Sequence, residues 1–360
     1  MRILHTHKSF RMAQRFVVPL ICEDHRRKDN SELITIDQTY TKVATAFFAN
    51  RSFNYLGFIW RLVKIISVSK PDIIVAHNSR SSILPLLIAR LARIKVRIYF
   101  NHGVPHIAYR GISRQVLKFL EFLSCKNATQ VLTVSKHMQH MLQQICSSNE
   151  ISIIFNGSAC GVECPPPESI RDKRKKFRNE YRYTDLDILY LYIGRPVKRK
   201  GFYDVLDLWS SYLKHSGGSL ILLGIDETDV LKRLGYIPER IYCLGVVKDP
   251  SDALSAADFL LLPSHHEGLS YSVLEAMAYG VVVIANDVPG VRCIVEHGQT
   301  GFLVRDNSIA EYVAIIDKIS DRHFDLDLIR KNAYLAVQKY SRKDFLHDYS
   351  RFMVDLVSER

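Results

Sequence analysis

The feature that most constrains this chain is its alternation of short, continuous apolar runs with longer amphipathic stretches. In the first half the apolar runs are Arg2–His5, Leu33–Ile36, Asp72–Ala76, Val96–Phe100, Gln130–Val134 and Ile151–Phe155. In the second half they are Ile188–Ile193, Ser219–Leu223, Ile241–Leu244, Phe259–Leu262, Val281–Ala285 and Gly301–Val304. Such runs are typical of strands buried on both faces, and the stretches between them, such as Leu56–Ser67, Ile83–Ala92, Ser113–Ser124 and Ser135–Ile145, have helical periodicity. The pattern predicts an α/β protein with doubly wound parallel sheets.

A proline-rich stretch divides the two halves. Gly161–Ser169 reads GVECPPPES, and three consecutive prolines favour a stiff, extended connector. A chain of 360 residues is long for one core and suits two domains. We therefore expect one α/β domain over residues 1–164 and a second over residues 165–341.

The charge of the chain is distributed unevenly between these halves. The chain has 49 basic and 37 acidic residues, and 22 of the basic but only 9 of the acidic ones lie within residues 1–165. The net charge of +12 therefore belongs to the first half. A basic half favours an anionic partner, either nucleic acid or a membrane surface, and a solvated basic face is the alternative.

Targeting signals and metal-binding patterns are not recognisable. No apolar run approaches the ~20 residues of a membrane span, and the N-terminus lacks the pattern of a signal peptide. The seven cysteines are scattered without zinc-like spacing, which favours thiols in a reducing compartment. We expect a cytoplasmic protein without a metal site.

The segment His266–Gly280, HEGLSYSVLEAMAYG, follows an apolar run and is the first candidate site. We expect Gly268 to permit a tight turn, Ser270 to cap a helix with its hydroxyl, and the amides of Leu269–Ser272 to form an anion site. Glu267 and Glu275 would then accept hydrogen bonds from sugar or ribose hydroxyls. A capped helix with an ordinary surface glutamate remains the alternative.

Two further loops follow apolar runs. Gly194–Gly201, GRPVKRKG, places four cations at a strand end, where Arg195 and Lys200 could hold a diphosphate. The loop is not a Walker motif, and a solvated basic loop is the alternative. In the first half, His102 in Asn101–Gly103 follows Phe100 and is a candidate for a cleft, although a single histidine is more often structural.

Taken together, these motifs resemble the retaining glycosyltransferases of family 4. Glu267 and Glu275 resemble the E-x7-E signature of that family, and the GR…KG loop, His102-Gly103, Asn156-Gly157 and HGQTGFLV (His297–Val304) occur in the family's order. The resemblance spans nearly the whole chain. It implies a GT-B fold, with two Rossmann-like domains facing across a cleft and a final helix, about 342–360, that returns to the first domain.

The resemblance also implies roles for individual residues. Arg195 and Lys200 would bind the donor diphosphate, and Glu275 the ribose hydroxyls. Glu267, with Gly268, Leu269 and Ser270, would hold the donor sugar and phosphate. Val246 would lie near the nucleobase, and His102 would reach the sugar from the other domain.

The implied reaction is a metal-independent, retaining sugar transfer from a nucleotide sugar, with UDP-sugars favoured and no further cofactor. NGSACGV at Asn156–Val162 and the SHHEG loop are similar to members that extend lipid-diphosphate-linked glycans in capsule or lipopolysaccharide biosynthesis. We therefore expect a peripheral protein at the inner face of the cytoplasmic membrane, with no nucleic-acid partner. Phe47–Lys64 is a candidate interfacial segment or an ordinary amphipathic core helix.

Three other functions remain open from the sequence. A nucleotide-sugar epimerase of the same fold would turn over without an acceptor. A basic nucleic-acid-binding protein would bind RNA or DNA in a salt-dependent way, although no recognised nucleic-acid module is visible. A catalytically silent membrane scaffold would not bind nucleotide sugars.

Overall fold

The computed structural model describes residues 2–7, 17, 20, 30–35, 55–103, 105–147, 150–154, 156–215 and 218–358. The chain divides into two compact units, one comprising Met1–Gly161 with Arg342–Arg360 and the other Val162–Ser341. The division falls three residues before the boundary expected from the prolines.

Unit 1, the first of these, is built around a parallel sheet. Its strands are β1 (Arg2–His7), β2 (Asn30–Thr35), β3 (Ile73–His77), β4 (Val96–Asn101), β5 (Gln130–Thr133) and β6 (Ile151–Ile153). Its helices before the linker are α1 (Tyr55–Ser69), α2 (Ser79–Leu91), α3 (Gly111–Asn127) and α4 (Lys136–Gln143). The described strands are arranged in the order β2-β1-β3-β4-β5-β6.

Unit 2 repeats this architecture with a second parallel sheet. Its strands are β7 (Leu189–Ile193), β8 (Ser219–Leu223), β9 (Ile241–Gly245), β10 (Phe259–Leu262), β11 (Val282–Asn286) and β12 (Phe302–Val304). Its helices are α5 (Pro167–Glu180), α6 (Phe202–Ser211), α7 (Glu227–Leu234), α8 (Ser251–Ala256), α9 (Tyr271–Ala278), α10 (Pro289–Arg292), α11 (Ile309–Ser320) and α12 (Leu326–Val337). A last helix, α13 (Arg342–Ser358), belongs to unit 1.

The strands lie where continuous apolar runs predict them, because a strand covered by helices on both faces has no solvent-facing positions. Every residue of β3, β8, β10 and β11 is buried. In unit 2 the core extends from the sheet to Trp209 of α6 and Tyr312 of α11. The expectation of doubly wound α/β architecture is confirmed in both units.

The strand order of each sheet reverses at one point. In unit 2 the order is β12-β11-β10-β7-β8-β9, so that β10 and β7 are neighbours although helices and two strands separate them in sequence. In unit 1 the corresponding neighbours are β1 and β3. Ligands of doubly wound sheets bind beyond the carboxyl ends of the strands at such a switch point.

The proline stretch is shorter as a connector than expected. Pro166 is extended, but α5 already begins at Pro167. The first helical residue needs no amide hydrogen and has a φ that the proline ring prefers, so the third proline starts a helix instead of preventing one.

The candidate interfacial segment is only partly described, because 47–54 lie outside the described residues. Its remaining part belongs to α1, which buries Leu62 and Ile66 and leaves Trp60 63% exposed. In the described part of the chain, no helix is both long enough and apolar enough to cross a membrane.

Candidate active site

Two loops of unit 2 meet at the switch point between β7 and β10. The strands are parallel, with Tyr190 opposite Phe259 and Leu191 opposite Leu260, so their carboxyl ends lie at the same edge of the sheet. One loop is Gly194–Gly201 and the other is 263–270. The order of the strands therefore brings two of the sequence-predicted motifs together, although they are about 70 residues apart.

Hydrogen bonds tie these two loops to each other. The amide of His265 donates to the carbonyl of Arg199 at 3.0 Å, and the Arg199 guanidinium donates to the carbonyl of His266 at 3.0 Å. The hydroxyl of Ser264 donates to the carbonyl of Lys200 at 3.3 Å. One of the four loop cations, Arg199, thus holds the loops in register.

The approach of the loops depends on Gly201, which has a φ of +73°. A Cβ at this position would lie 2.0 Å from the carbonyl oxygen of Pro263. A side chain would therefore require both the left-handed conformation and a displacement of the neighbouring backbone.

Lys200 and Glu267 form an ion pair at the centre of this arrangement. The Lys200 Nζ lies 2.7 Å from Oε1 and 2.9 Å from Oε2 of Glu267. The side chains are 22% and 7% exposed, respectively, so the pair is largely shielded from water. The two carboxylate contacts use two of the three donors of the ammonium group. The negative charge of Glu267 is thus balanced by Lys200.

The hydroxyl of the buried Tyr192 is hydrogen-bonded to the backbone of the cationic loop. The Tyr192 hydroxyl lies 3.2 Å from the carbonyl oxygen of Arg195 and 3.1 Å from that of Lys200. Burial, and secondly the nearby Glu267 carboxylate, raises the pKa of Tyr192 well above its ordinary value. The group therefore remains a neutral hydrogen-bond donor over a wide pH range.

Arg195 follows β7 and Gly194 directly, and its side chain is exposed. Its backbone is fixed through the Tyr192 hydroxyl, while its guanidinium extends from the same loop that carries Lys200. The loop therefore offers a fixed cation, Lys200, and two exposed cations, Arg195 and Lys198.

The turn at Gly268–Ser270 differs from the expectation. Ser270 precedes α9, but its hydroxyl does not cap the helix, and its amide donates to the carbonyl of Gly290 at 3.1 Å. The expectation that the amides of Leu269–Ser272 are available was therefore wrong for Ser270, because the Gly290 carbonyl of α10 accepts from its amide. The Leu269 side chain is buried and packs the turn from inside.

The close approach in this turn depends on a glycine that the sequence analysis did not single out. A Cβ on Gly290 would lie 2.3 Å from the carbonyl oxygen of Glu267. Gly268 itself is not among the glycines with positive φ. Gly290 lies in Asp287–Val291, DVPGV, and a Pro-Gly pair after a strand was the signal that could have identified it.

Glu275 lies on α9 and is half-buried. The helix begins beside β7, since the Ser272 hydroxyl lies 3.5 Å from the carbonyl oxygen of Ile193. Glu275 therefore lies in the second turn of α9, the helix that follows the loop carrying Glu267.

Val246 stands beside a row of three glycines that ends the neighbouring strands. Gly194, Gly224 and Gly245 follow or end β7, β8 and β9, and the amide of Gly224 donates to the carbonyl of Gly245 at 2.6 Å. A Cβ on Gly224 would lie 2.4 Å from the carbonyl oxygen of Gly194. None of these three positions contributes a side chain to the edge, and Val246 beside it is 55% exposed.

A polar cluster behind the loop was also missed. His265 Nδ1 lies 3.1 Å from the side-chain amide nitrogen of Asn307, and His265 Nε2 lies 3.0 Å from the Asp204 carboxylate. Because the amide donates to Nδ1, the proton of the neutral ring is on Nε2 and is donated to Asp204. The first histidine of SHHEG thus anchors the loop. Its role depends on Asp204 and Asn307, which are distant in sequence.

His102 follows β4 at the carboxyl edge of the unit 1 sheet. Its loop is fixed by Asn101, whose side-chain oxygen accepts from the amide of Gly103 at 3.0 Å and whose amide donates to Glu121 of α3 at 2.6 Å. Its ring stacks on Phe100, with centroids 4.7 Å apart. His102 is therefore held in place and lies at the edge where ligands of such sheets bind.

Comparison with known protein families shows the class to which this chain belongs. The family model described as Glycosyltransferase Family 4 matches residues 5–158, and the family model described as Glycosyl transferases group 1 matches residues 187–322. The two matches together span most of both units. The chain is a glycosyltransferase and belongs to family 4.

Individual relatives agree with this assignment. The chain is 25% identical to the capsular polysaccharide biosynthesis glycosyltransferase CapM of Staphylococcus aureus, over 74% of this chain and 71% of CapM. It is 24% identical to the UDP-Gal:alpha-D-GlcNAc-diphosphoundecaprenol alpha-1,3-galactosyltransferase of Escherichia coli, over 75% and 72% of the two chains. These relatives favour a transferase over the epimerase and nucleic-acid-binding alternatives.

A solved structure shows the same fold. HepE of Anabaena, in complex with UDP-glucose, matches with a TM-score of 0.76 at 19% identity, over 99% of this chain and all of HepE. The GT-B fold implied by the resemblance is thereby confirmed.

Proposed function

We propose that this glycosyltransferase moves a sugar, with retention of anomeric configuration, from a UDP-sugar to a lipid-diphosphate-linked glycan. The observation that carries the proposal is the Lys200–Glu267 pair at the switch point of unit 2, beside the accessible Arg195. A nucleotide-sugar donor has a diphosphate next to a sugar. Its site needs cations for the diphosphate and, beside them, a group that accepts hydrogen bonds from the sugar hydroxyls.

The cations would bind the diphosphate of the donor. Lys200 retains one N–H beyond the two directed at Glu267, and Arg195 can present a fork of donors to phosphate oxygens. The same groups would stabilise the charge that develops on the leaving diphosphate. For this reason the proposal assigns no metal ion and no further cofactor to the reaction.

The carboxylates would bind hydroxyls. Glu267, oriented by Lys200, would accept hydrogen bonds from the donor sugar, and Glu275 would accept them from the ribose. The turn Gly268–Ser270 would lie against the sugar and phosphate. The nucleobase would lie beside the exposed Val246, next to the glycines that follow or end β7, β8 and β9.

In the proposed reaction the bond between the anomeric carbon and the diphosphate oxygen breaks. A bond from the acceptor oxygen to the same carbon forms on the same face, and the acceptor proton passes to an oxygen of the leaving diphosphate. No enzyme side chain is assigned as the base. His102 would contact the donor sugar.

The substrate classes are supported by the relatives. The name of the Escherichia coli relative specifies UDP-Gal and a diphosphoundecaprenol acceptor, and HepE was solved with UDP-glucose. CapM is described by its role in capsular polysaccharide biosynthesis. We therefore propose that the reaction occurs at the inner face of the cytoplasmic membrane.

A surface of unit 1 supports association with an anionic membrane. Helix α2 packs against both α1 and α3, and the exposed apolar side chains on these helices include Trp60, Val68, Leu91, Ile112, Val116 and Phe119. Ile112 is 84% exposed. Arg93, Arg110 and Arg114 are exposed among them. This apolar–basic face has the composition of a surface that lies in the lipid headgroup region.

The donor assignment is tested by thermal unfolding in the presence of a panel of nucleotide sugars. A ligand at 100 times its dissociation constant stabilises the protein by about 2.7 kcal/mol. We expect stabilisation by a UDP-sugar, its loss in Lys200→Met and Glu275→Gln, and its retention in the control Lys318→Met on α11. Sugar transfer by Lys200→Met and Glu275→Gln at the wild-type rate would refute the site.

The membrane assignment is tested by sedimentation with vesicles of phosphatidylglycerol and of phosphatidylcholine. We expect binding to the anionic vesicles only, with an affinity about tenfold or more lower in Ile112→Ser/Phe119→Ser. The control Leu335→Ser removes a similarly exposed apolar side chain from unit 2 and should bind as the wild type does. Equal binding by both variants would exclude the apolar–basic face.

A further inference from the structure

Three histidines form a hydrogen-bonded chain along the carboxyl edge of the unit 1 sheet. His5 Nδ1 lies 3.2 Å from His77 Nε2, and His77 Nδ1 lies 3.0 Å from His102 Nε2. The rings are stacked, with centroids 5.5 Å apart for the first pair and 5.3 Å for the second. The chain begins at the switch point between β1 and β3 and ends at His102.

The strand register places these rings on one face of the sheet. His5 is paired with Val75, two residues before His77, and His77 is paired with Phe100, two residues before His102. Side chains two residues apart on a strand point to the same face. The three imidazoles and the Phe100 ring therefore lie together on one side of β1, β3 and β4.

Two hydrogen bonds in series couple the tautomers of the rings. A neutral imidazole has one N–H donor and one acceptor nitrogen. If His5 donates from Nδ1, His77 accepts on Nε2 and donates from Nδ1, and His102 accepts on Nε2 and has its proton on Nδ1. If the direction is reversed, all three protons are on Nε2. A mixed arrangement would place two donors or two acceptors against each other.

Burial and packing hold the rings in place. His5 and His77 are both fully buried. The ring of His102 is further held by Phe100 and by the Asn101–Gly103 turn. The direction of the chain thus decides whether Nδ1 of His102 donates or accepts.

We propose that His5 and His77 are positioning residues that fix the orientation and the tautomer of His102 for hydrogen bonding to a sugar hydroxyl of the donor. The inference rests on the proposed function for the identity of that ligand. The coupling of the three tautomers belongs to unit 1 alone and can be measured without turnover.

The coupling is tested by ¹⁵N NMR of the full chain labelled at histidine, with signals assigned from His5→Phe, His77→Phe and His102→Phe. We expect the protonated nitrogen to be the same, Nδ1 or Nε2, in all three rings. In His77→Phe, His102 should lose this preference and become a mixture of tautomers. Different protonated nitrogens among the three wild-type rings would overturn the proposal.

The positioning role is tested by a double-mutant cycle in the transfer assay. His77→Phe should lower kcat/KM about tenfold or more, as loss of a group that orients a functional histidine does. Because His77 acts through His102, His77→Phe/His102→Phe should be no less active than His102→Phe alone. The control His323→Phe, at an exposed position of unit 2, should retain wild-type kcat/KM.

The outcomes separate this proposal from the proposed function. Coupled tautomers with unchanged kcat/KM in His77→Phe would refute the positioning role and leave the transferase assignment intact. Multiplicative losses in the double variant would indicate that His77 acts only on the structure, and would also refute the role. If no nucleotide sugar supports transfer, the proposed function fails, while the NMR result still decides the coupling.

Discussion

The carboxyl edges of the two sheets follow the same topological rule but carry opposite kinds of chemistry. At the switch point of unit 2 a lysine and a glutamate face each other, with contacts of 2.7 and 2.9 Å. At the switch point of unit 1 a chain of imidazoles begins, with contacts of 3.2 and 3.0 Å. A charged edge suits an anionic ligand, whereas a neutral, directional edge suits hydroxyl groups.

The two edges also differ in how they are assembled. The edge of unit 2 consists of loops that touch through glycines, at Gly201 and Gly290. Among the described residues, the histidine cluster at the edge of unit 1 consists of His5 and His77, which are placed by strand register, and of His102 in the loop after β4. Within unit 2, substitutions that add a side chain at a glycine should therefore be the most damaging. Within unit 1, the most damaging should be those that remove a hydrogen-bonding group.

The largest expected effect is that of Gly201→Ala. The new Cβ would meet the Pro263 carbonyl at 2.0 Å in a left-handed conformation, so we expect a loss of more than about 4 kcal/mol of unfolding free energy. The chain has two tryptophans, and Trp209 is buried in unit 2. Denaturation followed by Trp209 fluorescence, in a Trp60→Phe background, measures this loss.

Gly235→Ala is the matched control for this substitution. Gly235 has a φ of +79°, but a Cβ there meets no atom within 4 Å. We expect it to cost only the conformational strain, about 1–2 kcal/mol. Equal losses for the two variants would mean that the approach of the loops is not what Gly201 provides.

The next effect is that of Lys200→Met. Removal of the cation leaves the Glu267 carboxylate buried without its partner, which we expect to destabilise unit 2 by about 3 kcal/mol. Lys200→Met/Glu267→Gln should recover most of this stability, because the buried charge is gone, but should not recover sugar transfer. The Trp209 transition and a transfer assay measure the two quantities, and a double variant no more stable than Lys200→Met would contradict the ion pair.

The smallest effect is that of Tyr192→Phe, which should cost about 1 kcal/mol through the lost hydrogen bond. Burial and the Glu267 carboxylate raise the pKa of Tyr192, so this group stabilises the folded state fully below its unfolded pKa of about 10. The contribution is lost as the pH rises above that value. Between pH 9 and 11, the wild type should therefore lose more stability than Tyr192→Phe, and parallel losses would contradict the assignment.

Much of the fold was predictable because buried parallel strands are continuous apolar runs. The runs Ser219–Leu223 and Phe259–Leu262 coincide with β8 and β10. Ends moved by one to three residues elsewhere, as at β2 and β11, since hydrogen bonding continues into polar residues such as Asn286. The start of α5 at Pro167 was missed because three prolines were interpreted only as helix breakers.

The candidate site was predictable as a set of loops but not as a set of contacts. Lys200, Glu267 and His102 were identified because they follow strands, where parallel sheets bind ligands. Gly290, Asp204 and Asn307 were missed because nothing local shows which distant loop they contact. The capping bond expected of the Ser270 hydroxyl is absent, and the Ser270 amide donates to the Gly290 carbonyl of a distant segment.

The sequence by itself determined the class of fold, the strand ends at which the functional residues stand, and the excess of positive charge in the first half. Hydrophobic periodicity and local composition are sufficient for these, since they depend on neighbouring residues. Only the tertiary structure decided that Lys200 pairs with Glu267 and that His5 and His77 lead to His102. These contacts join residues on different strands or loops, so they depend on strand order and register, which long-range packing selects.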